Sequence, residues 1–475
     1  MYTSTRCEKS ITASKAIIEG ISSDGGLYVI KKTPMIDYKS LYGKTYKEIA
    51  KEVLKSFLND YTDSELDYCI NSAYSEFDTE EVVQVKKINN YHYLELYHGP
   101  TLAFKDVALT ILPYLLEVAK KKHNETEKTT ILTATSGDTG SAALNGFSKI
   151  NNIDIIVFYP YGGVSKVQEQ QMLSFESNNA HAFAIDGNFD DCQNFLKKVF
   201  NSGFKGLSSA NSINIGRLVP QIVYYFYSYF KLIEDNSIKI GDKVNFCVPT
   251  GNFGDILAGY YAKEMGLPIN KLICASNINN VLTDFFNTGI YNRKREFIKT
   301  NTPSMDILIS SNLERLLYLK SKSTDIVNKY MNDLKEKGEF KSNEQYDEFY
   351  GEYATEEETV NTIKNEFIKN EYLIDPHTAV AKCVYDKYVK ETNDLTHTVI
   401  LSTASPYKFI KTISTALDFD GNLDELDLID LVSKKSGTSI PTSLKNIKEN
   451  LKINECISLN EAYKYLEKNI QKKEM

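Results

Sequence analysis

The apolar residues of this chain follow different spacings on the two sides of residue 92. Before it, segments 45–58 and 65–77 place apolar residues three and four positions apart, which predicts two amphipathic helices. A glycine-containing turn and a short strand, 22–30, precede these helices. We therefore predict a separate, mainly helical N-terminal domain over residues 1–92.

From residue 93 onwards, short β-rich runs alternate with helical segments. This alternation predicts an α/β protein with mainly parallel sheets, in which ligands bind in the loops that follow the strands. We predict a catalytic region, 93–475, with a smaller α/β subdomain at about 130–205, a larger one from the remainder, and a helical tail at about 430–475. The predicted strands are 91–98, 129–135, 154–160, 180–186, 245–250, 271–276 and 397–404, and helices are predicted at 141–150, 164–175 and 190–200.

Composition and charge exclude several functional classes. The chain has 475 residues, 42% hydrophobic and 25% charged, as in ordinary folded soluble proteins. Its net charge of −8 argues against nucleic-acid binding, which needs a basic surface. No apolar run reaches the ~20 residues that cross a bilayer, and the first residues lack the apolar core of a signal peptide. We expect a cytoplasmic protein without membrane contacts.

Cysteine and histidine patterns indicate neither disulfides nor a metal site. The seven cysteines are scattered and never spaced CxxC, which favours reduced, mostly buried thiols. The six histidines form no HExxH motif and no close pair. We therefore predict no bound metal.

The stretch HGPTLAFKDVAL, 98–109, places a single lysine, Lys105, at the start of an apolar run. The run continues through Pro113 and predicts a buried helix. Burial disfavours the ammonium form, so a lysine here suits chemistry in which a neutral amine attacks a carbonyl. The alternative is an ordinary lysine that reaches solvent from a helix end. This stretch alone leaves both interpretations open.

Three loops rich in glycine or hydroxyl residues follow predicted strands. The first, TSGDTGSAAL at 135–144, has small residues that let N–H groups approach an anion, and it opens a helix whose dipole favours negative charge. The hydroxyls of Ser136 and Thr139 are further donors. The alternative is an ordinary helix start, with Asp138 or Thr139 as the cap.

The second loop, VPTGNFGDILAG at 248–259, also joins a strand to a helix. Gly251, Asn252 and Gly254 tolerate positive φ, so the loop can curl its N–H groups around a phosphate. It matches neither GxGxxG nor GxxxxGK, which argues against a Rossmann dinucleotide site and a P-loop. A tight turn without a ligand is the alternative.

The third loop, LSTASPYKF at 401–409, places three hydroxyls, on Ser402, Thr403 and Ser405, at the end of a strand. A hydroxyl at this position is suited to meet a ring nitrogen. The alternative is a turn with exposed polar residues. Residue order alone assigns no Ser-His-Asp triad.

Together these segments resemble the threonine synthase family, pyridoxal-phosphate (PLP) enzymes of fold type II, the tryptophan-synthase-β fold. The similarity extends over most of the chain, and the motifs occur in the family's order. It implies an α/β protein with two α/β domains, three-layer sheets and an α-rich N-terminal domain. The matching motifs are YTSTR (2–6), DGGLYV (24–29), HGPTLAFKD (98–106), TSGDTGSAA (135–143), SANSIN (209–214), RLVPQ (217–221), VPTGNFGD (248–255), PSMDILISSNLERLL (303–317), DPHTAVA (375–381) and LSTASPYKF (401–409).

The resemblance implies roles for the cofactor-binding residues. Lys105 would hold PLP through a Schiff base. Thr403 would bond the pyridine nitrogen, with Ser402 as the second choice, and a hydroxyl there would leave that nitrogen largely unprotonated. The residues implied to hold the cofactor phosphate are Gly251, Asn252, Phe253, Gly254 and Asp255.

The implied substrate is O-phospho-L-homoserine. For its phosphate, Arg217 is our first choice, with Asn214 and Ser165 beside it, because a guanidinium matches phosphate geometry. A structural ion pair is the alternative role for Arg217. The residues implied to receive the substrate carboxylate are Ser136, Gly137, Asp138 and Thr139.

The implied reaction converts O-phospho-L-homoserine and water to L-threonine and phosphate, the last step of threonine biosynthesis. It combines γ-elimination of phosphate with β-addition of water, and Lys105 would move the protons. Two other functions stay open: another fold type II enzyme, such as a serine/threonine dehydratase or a β-replacement synthase, and a non-catalytic threonine-synthase-like PLP-binding protein. A monomer and a homodimer are both compatible with the sequence.

Several residues depart from the family pattern. Cys7 and Tyr161 stand where the family often has a small residue and a lysine, respectively. Ser405 and Tyr407 replace the histidine and alanine of the usual His-Pro-Ala run. This last change lies beside Thr403 and so affects the shape of the site near the ring nitrogen.

Overall fold

A computed structural model describes residues 1–419 and 423–471 of the chain. Most of its strands are parallel and gather into two separate sheets. The strands are β1 (Tyr2–Ser4), β2 (Tyr28–Ile30), β3 (Gln84–Ile88), β4 (Tyr91–Glu95), β5 (Thr129–Ala134), β6 (Ile153–Pro160), β7 (Ala180–Ile185), β8 (Leu207–Ser208), β9 (Val244–Pro249), β10 (Ile269–Ser276), β11 (Ile290–Asn292), β12 (Glu339–Lys341), β13 (Phe349–Tyr353), β14 (Thr398–Ser402) and β15 (Cys456–Ile457).

Helices connect these strands and cover the sheets. The helices are α1 (Ala13–Glu19), α2 (Tyr46–Phe57), α3 (Asp63–Ala73), α4 (Lys105–Leu109), α5 (Leu112–Lys122), α6 (Asp138–Phe147), α7 (Lys166–Ser174), α8 (Phe189–Phe200), α9 (Ile215–Glu234), α10 (Gly254–Glu264), α11 (Val281–Thr288), α12 (Leu313–Ser321), α13 (Thr324–Lys337), α14 (Glu356–Asn370), α15 (Pro376–Thr392), α16 (Ile410–Ala416), α17 (Glu425–Ser436), α18 (Thr442–Glu449) and α19 (Leu459–Asn469). Short 3₁₀ turns occupy Tyr38–Leu41, Tyr74–Glu76, Pro303–Met305 and Pro406–Phe409.

The larger sheet has the strand order β13-β10-β9-β14-β4-β3, and only β3 runs antiparallel to its neighbour. Alternate residues of β9 enter different cores: Phe246 and Val248 join α9 and α10, whereas Cys247 joins α15. Helices therefore cover both faces, which gives three layers. The carboxyl ends of the neighbouring strands β4, β14 and β9 meet at one edge, as the sequence pattern predicts for a binding site.

The smaller sheet has the order β15-β7-β6-β5-β8, and all of its strands are parallel. Val157 of β6 packs into the core that contains α6 and α7, while Phe158 packs with α8 and α19. This sheet also has three layers. Its edge strand β15 comes from the predicted helical tail, 430–475. The described part of this tail contains α17, α18 and α19, and residues 456–457 between them pair with β7.

The N-terminal helices α2 and α3 confirm the two predicted amphipathic segments. Each begins with a reciprocal capping box, Thr45 with Glu48 and Thr62 with Glu65, which satisfies the first N–H groups. Helix α2 packs on α9, which is buried along most of its length. The predicted domain boundary at residue 92 falls within β4 of the larger sheet. The division into domains stays a prediction.

The predicted buried helix after Lys105 is present but interrupted. It splits into α4 and α5 because Pro113 lacks the N–H that would bond the Leu109 carbonyl oxygen. That oxygen lies against Gly146 of α6, where any Cβ would collide with it. The interruption thus lets α6 approach α4 closely. Among the described residues, none of the helices combines the length and apolar character that a membrane crossing requires.

Candidate active site

Backbone hydrogen bonds join the predicted lysine loop to the predicted hydroxyl loop. The N–H of Leu96 donates to the Ser402 carbonyl oxygen at 2.9 Å, and the N–H of Phe104 donates to the Thr403 carbonyl oxygen at 2.8 Å. The first bond extends the parallel pairing of β4 with β14, and the second lies beside an antiparallel bridge between Ala103 and Ala404. They bring Lys105 to the edge where the 401–409 loop begins.

Lys105 opens α4 and is only 9% exposed, so the alternative of a solvent-reaching lysine is wrong. Its Nζ lies 3.1 Å from the Ser304 Oγ and 3.4 Å from Oδ2 of Asp138. Burial lowers the pKa of Lys105; Asp138 opposes this shift, while Lys408 and Arg217 reinforce it. The neutral amine that carbonyl attack requires is therefore favoured.

Asp138, the first residue of α6, is the anion at the centre of the site. Its Oδ1 lies 2.9 Å from Nζ of Lys408 and accepts a hydrogen bond from Nε2 of Gln168, also at 2.9 Å. Burial raises the pKa of Asp138, but Lys408 and Lys105 outweigh this effect and hold the pKa below its usual value. The carboxylate is therefore ionised and already paired with cations.

The first turn of α6 is not capped by the residues that the sequence suggests. Neither Asp138 nor Thr139 caps the helix, so this alternative is wrong; the Thr135 hydroxyl accepts from the N–H groups of Gly137 and Gly140 at 3.0 and 2.9 Å. Within residues 1–419 and 423–471, the N–H groups of Asp138 and Thr139 have no acceptor. Two donors therefore remain for an anion at this helix N-terminus.

The loop 251–255 forms a turn from β9 into α10, and its N–H groups have no acceptor in the described part of the chain. Phe253 adopts a left-handed conformation, with φ 62° and ψ 8°, and its buried ring stacks on Phe286. A Cβ on Gly251 would lie 2.5 Å from the Ser304 carbonyl oxygen. These features together make a cradle of donors beside a helix N-terminus, which suits a phosphate.

Asp255 belongs to this loop but faces away from solvent. Its Oδ1 accepts from the hydroxyls of Tyr224 and Tyr225 at 2.5 and 2.9 Å, while Oδ2 is buried without a partner among the described residues. Burial raises the pKa of Asp255 to about 6. Its side chain therefore anchors the loop to α9, and only its backbone is available to an anion.

The two hydroxyls considered for the ring nitrogen differ in their contacts. The Ser402 hydroxyl lies 3.1 Å from that of Thr378. The Thr403 hydroxyl has no hydrogen-bond partner in the described residues, although the residue is buried. This difference favours Thr403 over Ser402 as the residue that is free to meet a ligand. Ser405 and Tyr407 are both buried, and the Tyr407 hydroxyl bonds Thr438 at 2.7 Å, away from this position.

Arg217, near the start of α9, is a buried cation that has no acidic partner within the described residues. Its Nη1 donates to the Ala210 carbonyl oxygen at 2.9 Å, and its Nε has no partner among the described residues. Burial lowers the pKa of Arg217 to about 10, and no carboxylate counteracts the shift. The alternative of a structural ion pair is therefore wrong, and the guanidinium is available to an anionic ligand.

The other two residues suggested for the substrate phosphate have structural contacts. Asn214 caps α9 through its Oδ1, and its Nδ2 donates to the Ile17 carbonyl oxygen at 2.9 Å. Ser165 caps α7 in a capping box with Gln168. Their roles as phosphate ligands stay predictions. Ser136 is partly buried beside Gly137, whose φ of 132° suits glycine.

Sequence reasoning assigned no role to three residues that the structure places in the site. Lys408 pairs with Asp138, Ser304 contacts Lys105, and the Ser304 N–H donates to Nε2 of His377 at 3.3 Å. All three lie in motifs that resemble the family, so membership in those motifs was the sequence signal that could have identified them as site residues. Their mutual contacts join distant segments, which spacing along the chain cannot reveal.

Comparison with known proteins relates this site to a family. The model described as "Threonine synthase N terminus" matches residues 1–74, and "Threonine synthase, C-terminal" matches residues 378–449. Threonine synthase of Eremothecium gossypii is 38% identical over 471 residues, which covers 90% of this chain and 91% of the relative. The chain belongs to the threonine synthase family. The predicted family membership is thereby confirmed.

A solved structure within the threonine synthase family extends this similarity to the fold. Crystallised PLP-bound threonine synthase from Brucella melitensis has a TM-score of 0.87 to this chain, with 36% identity and 98% coverage of both chains. The predicted fold class is confirmed. Human threonine synthase-like 1 is 41% identical over 445 residues, which covers 86% of this chain and 59% of the human protein.

Proposed function

We propose that this chain is a PLP-dependent threonine synthase that converts O-phospho-L-homoserine and water to L-threonine and phosphate. One observation carries the proposal: the desolvated amine of Lys105 lies in a site that also holds Arg217, a buried guanidinium without a carboxylate. A neutral amine suits a carbonyl cofactor, and a free guanidinium suits a substrate phosphate. The family membership supports the same activity.

The residues present fit PLP. The unpartnered N–H groups of 251–255 suit its phosphate, and Gly251 lets the loop approach the Ser304 backbone so closely that any Cβ would collide with it. Lys105 suits its aldehyde, and the unpartnered hydroxyl of Thr403 suits its ring nitrogen. When bound, PLP supplies an electron sink for the carbanions of the reaction.

Lys105 would carry the proton transfers. Its Nζ lies 3.1 Å from the Ser304 hydroxyl, and once the substrate amine displaced it, it would be free to act as a base. We assign it removal of the proton from Cα of the substrate and transfer of protons at Cβ and Cγ, as phosphate leaves Cγ and water adds at Cβ. Burial lowers the pKa of Lys105, which favours the neutral amine as a proton acceptor.

The two anionic groups of the substrate would bind at different donors of the site. The N–H groups of Asp138 and Thr139 suit the carboxylate, because the Asp138 side chain is already occupied by lysines. Arg217 suits the phosphate, because its Nε has no partner among the described residues. The Ser136 hydroxyl is a further candidate for the carboxylate. The cytoplasmic location and the choice between monomer and homodimer stay predictions.

A dehydratase or a β-replacement synthase of the same fold has no substrate phosphate to bind. The unpaired guanidinium of Arg217 therefore favours threonine synthase over these alternatives. A non-catalytic PLP-binding protein would need the amine to hold PLP, but it would not need a free guanidinium for a substrate phosphate. The same observation argues against that alternative.

The test combines spectroscopy with turnover. Purified protein is expected to absorb in the visible with PLP bound, and to release phosphate from O-phospho-L-homoserine with formation of threonine. Lys105→Ala should lose both the band and the turnover, whereas Lys149→Ala, which removes an exposed ion pair with Glu76, should retain them. A retained band in Lys105→Ala would refute the lysine assignment. Keto-acid release from threonine, without turnover of phosphohomoserine, would indicate a dehydratase instead.

A further inference from the structure

Lys408 is fully buried next to the charged groups at the centre of the site, and no role follows for it from the proposed reaction. Its Nζ lies 2.9 Å from Oδ1 of Asp138 and donates to the Thr101 carbonyl oxygen at 2.7 Å. A buried ammonium is tolerated only when a carboxylate and hydrogen bonds compensate for lost water. Asp138 is the carboxylate that provides this compensation.

Asp138 is shared between two lysines, and the geometry favours Lys408. Oδ1 receives the close donors, Lys408 and Gln168, each at 2.9 Å. Oδ2 has only longer contacts of 3.4 Å, with Lys105 and with the Ser304 hydroxyl. The shorter ion pair of the site is therefore the one between Asp138 and Lys408, and Lys105 is the more distant partner of Asp138.

This arrangement matters because Asp138 would otherwise have a single cationic neighbour within ion-pair distance. Without Lys408, the buried carboxylate would pair with Lys105 and favour its ammonium form. An ammonium has no lone pair and cannot attack a carbonyl carbon. The amine needs its lone pair each time it captures the cofactor and each time it accepts a substrate proton.

We propose that Lys408 is a positioning residue that occupies the Asp138 carboxylate and thereby leaves the Lys105 amine uncharged for reaction. The inference rests on the proposed role of Lys105 in binding PLP. In the capture step, the Lys105 nitrogen bonds to the aldehyde carbon, and the aldehyde oxygen leaves as water with the two amine protons. This step consumes neutral amine, so its rate reports the charge on Lys105.

Other charged groups around Lys105 act in both directions. Arg217 on α9 reinforces the effect of Lys408, and Asp255 on α10 is the next acidic group whose pKa responds to Lys105. Among the described residues, Asp138 forms an ion pair with Lys105, whereas Asp255 does not. In the described part of the chain, the charged and titratable groups connected to this amine, directly or through intervening residues, include Asp106, Asp138, Arg217, Asp255, Asp375, His377 and Lys408.

The test measures capture of PLP by the full-length protein after removal of its cofactor. The growth of the visible band is followed from about pH 6 to about pH 10, and the midpoint of the rate against pH is compared between variants. Lys408→Gln, whose amide can still donate to Thr101 and Asp138, should raise the midpoint by about one pH unit. Below the midpoint, this corresponds to about a tenfold slower capture.

Three controls separate charge from structure. Lys408→Arg keeps the positive charge and should keep the wild-type midpoint. The double variant Asp138→Asn/Lys408→Gln removes both charges and should return the midpoint towards wild type, which a merely structural role would not do. Lys411→Gln, on the same segment but exposed, should change nothing.

The outcomes distinguish this inference from the proposed function. If wild-type protein forms no visible band with PLP, the proposed function fails. If wild type captures PLP and Lys408→Gln shows an unmoved midpoint, only the role of Lys408 is overturned. If Lys408→Gln does not fold, the other two variants decide. Wild-type midpoints in both Lys408→Arg and the double variant support the inference. A shifted midpoint in either of them overturns it.

Discussion

The carbonyl oxygen of Asn252 accepts two hydrogen bonds from Asn312: one from the side-chain Nδ2 at 3.0 Å and one from the backbone N–H at 3.1 Å. Arg315 in turn bonds Oδ1 of Asn312 and donates through Nε to the Tyr28 carbonyl oxygen at 2.8 Å. The start of α12 therefore supports the 251–255 loop through a carbonyl oxygen, and the N–H groups of that loop stay available to bind an anion. A fully buried arginine links this support to the N-terminal strand β2.

Asn312→Ala should loosen the phosphate loop. We expect PLP to bind at least tenfold more weakly and the free energy of unfolding to fall by about 1–2 kcal/mol, because the Asn252 carbonyl oxygen loses a donor and the buried Arg315 loses an acceptor. A PLP titration and a denaturant melt would measure both. Asn328→Ala, which removes a 2.9 Å bond to the Arg6 carbonyl oxygen outside the loop, should leave PLP affinity unchanged. Equal affinity losses in the two variants would contradict this prediction.

Gly251→Ala should damage the loop through steric overlap. The new methyl group would lie 2.5 Å from the Ser304 carbonyl oxygen, so either the loop or the segment that contacts Lys105 must move. We expect a stability loss of about 1–3 kcal/mol, as for other overpacked sites, together with weaker PLP binding. In Gly254→Ala the nearest atom is Nδ2 of Asn312 at 3.5 Å, an ordinary contact, so its melting temperature should fall less. A larger fall in melting temperature for Gly254→Ala than for Gly251→Ala would contradict this prediction, because it would show that the overlap with Ser304 is easily relieved.

Arg217→Met should separate substrate binding from stability. Because Arg217 has no carboxylate partner in the part of the chain that the structure describes, its replacement leaves no buried anion unpaired there, and the melting temperature should stay equal or rise. The KM for O-phospho-L-homoserine should rise at least tenfold, while the visible PLP band persists. Arg315→Met is the matched buried control: its donors serve three acceptors, so it should lose several kcal/mol of stability. A destabilised Arg217→Met protein with an unchanged KM would refute the phosphate role.

Asp255→Asn should alter the pH dependence of stability in the cofactor-free protein. The folded-state pKa of Asp255 is raised to about 6, so its contribution to stability is fully present below about pH 4 and is lost as the pH rises through about 6. Asparagine does not titrate and keeps an oxygen for Tyr224 and Tyr225. The stability of Asp255→Asn relative to wild type should therefore grow by up to about 3 kcal/mol between pH 4 and pH 7.5.

Denaturant melts of both proteins across this range would measure the difference. Asp255→Ala serves as the control. It leaves two tyrosine hydroxyls without an acceptor, so it should be less stable than Asp255→Asn at every pH in this range. Parallel curves for wild type and Asp255→Asn would contradict the prediction.

The sequence by itself determined the strands and helices around the site, because their signals are local. Alternating β-rich and helical runs predicted parallel strands, and parallel strands bring their following loops to one edge. This is why the loops at 105, 251–255 and 402–403 could be grouped before the structure was considered. The family motifs then assigned the lysine and the phosphate loop.

Only the tertiary structure decided which charges meet. Lys408 and Asp138 lie in different motifs, and neither spacing nor hydrophobic periodicity shows that they form a buried pair. The same holds for Arg217, whose lack of a carboxylate is a property of all the segments that surround it. The pairing of β15 with the smaller sheet is likewise set by its neighbour, since two residues carry no periodic signal. Charge balance in a buried site depends on long-range packing, and the sequence records this only indirectly.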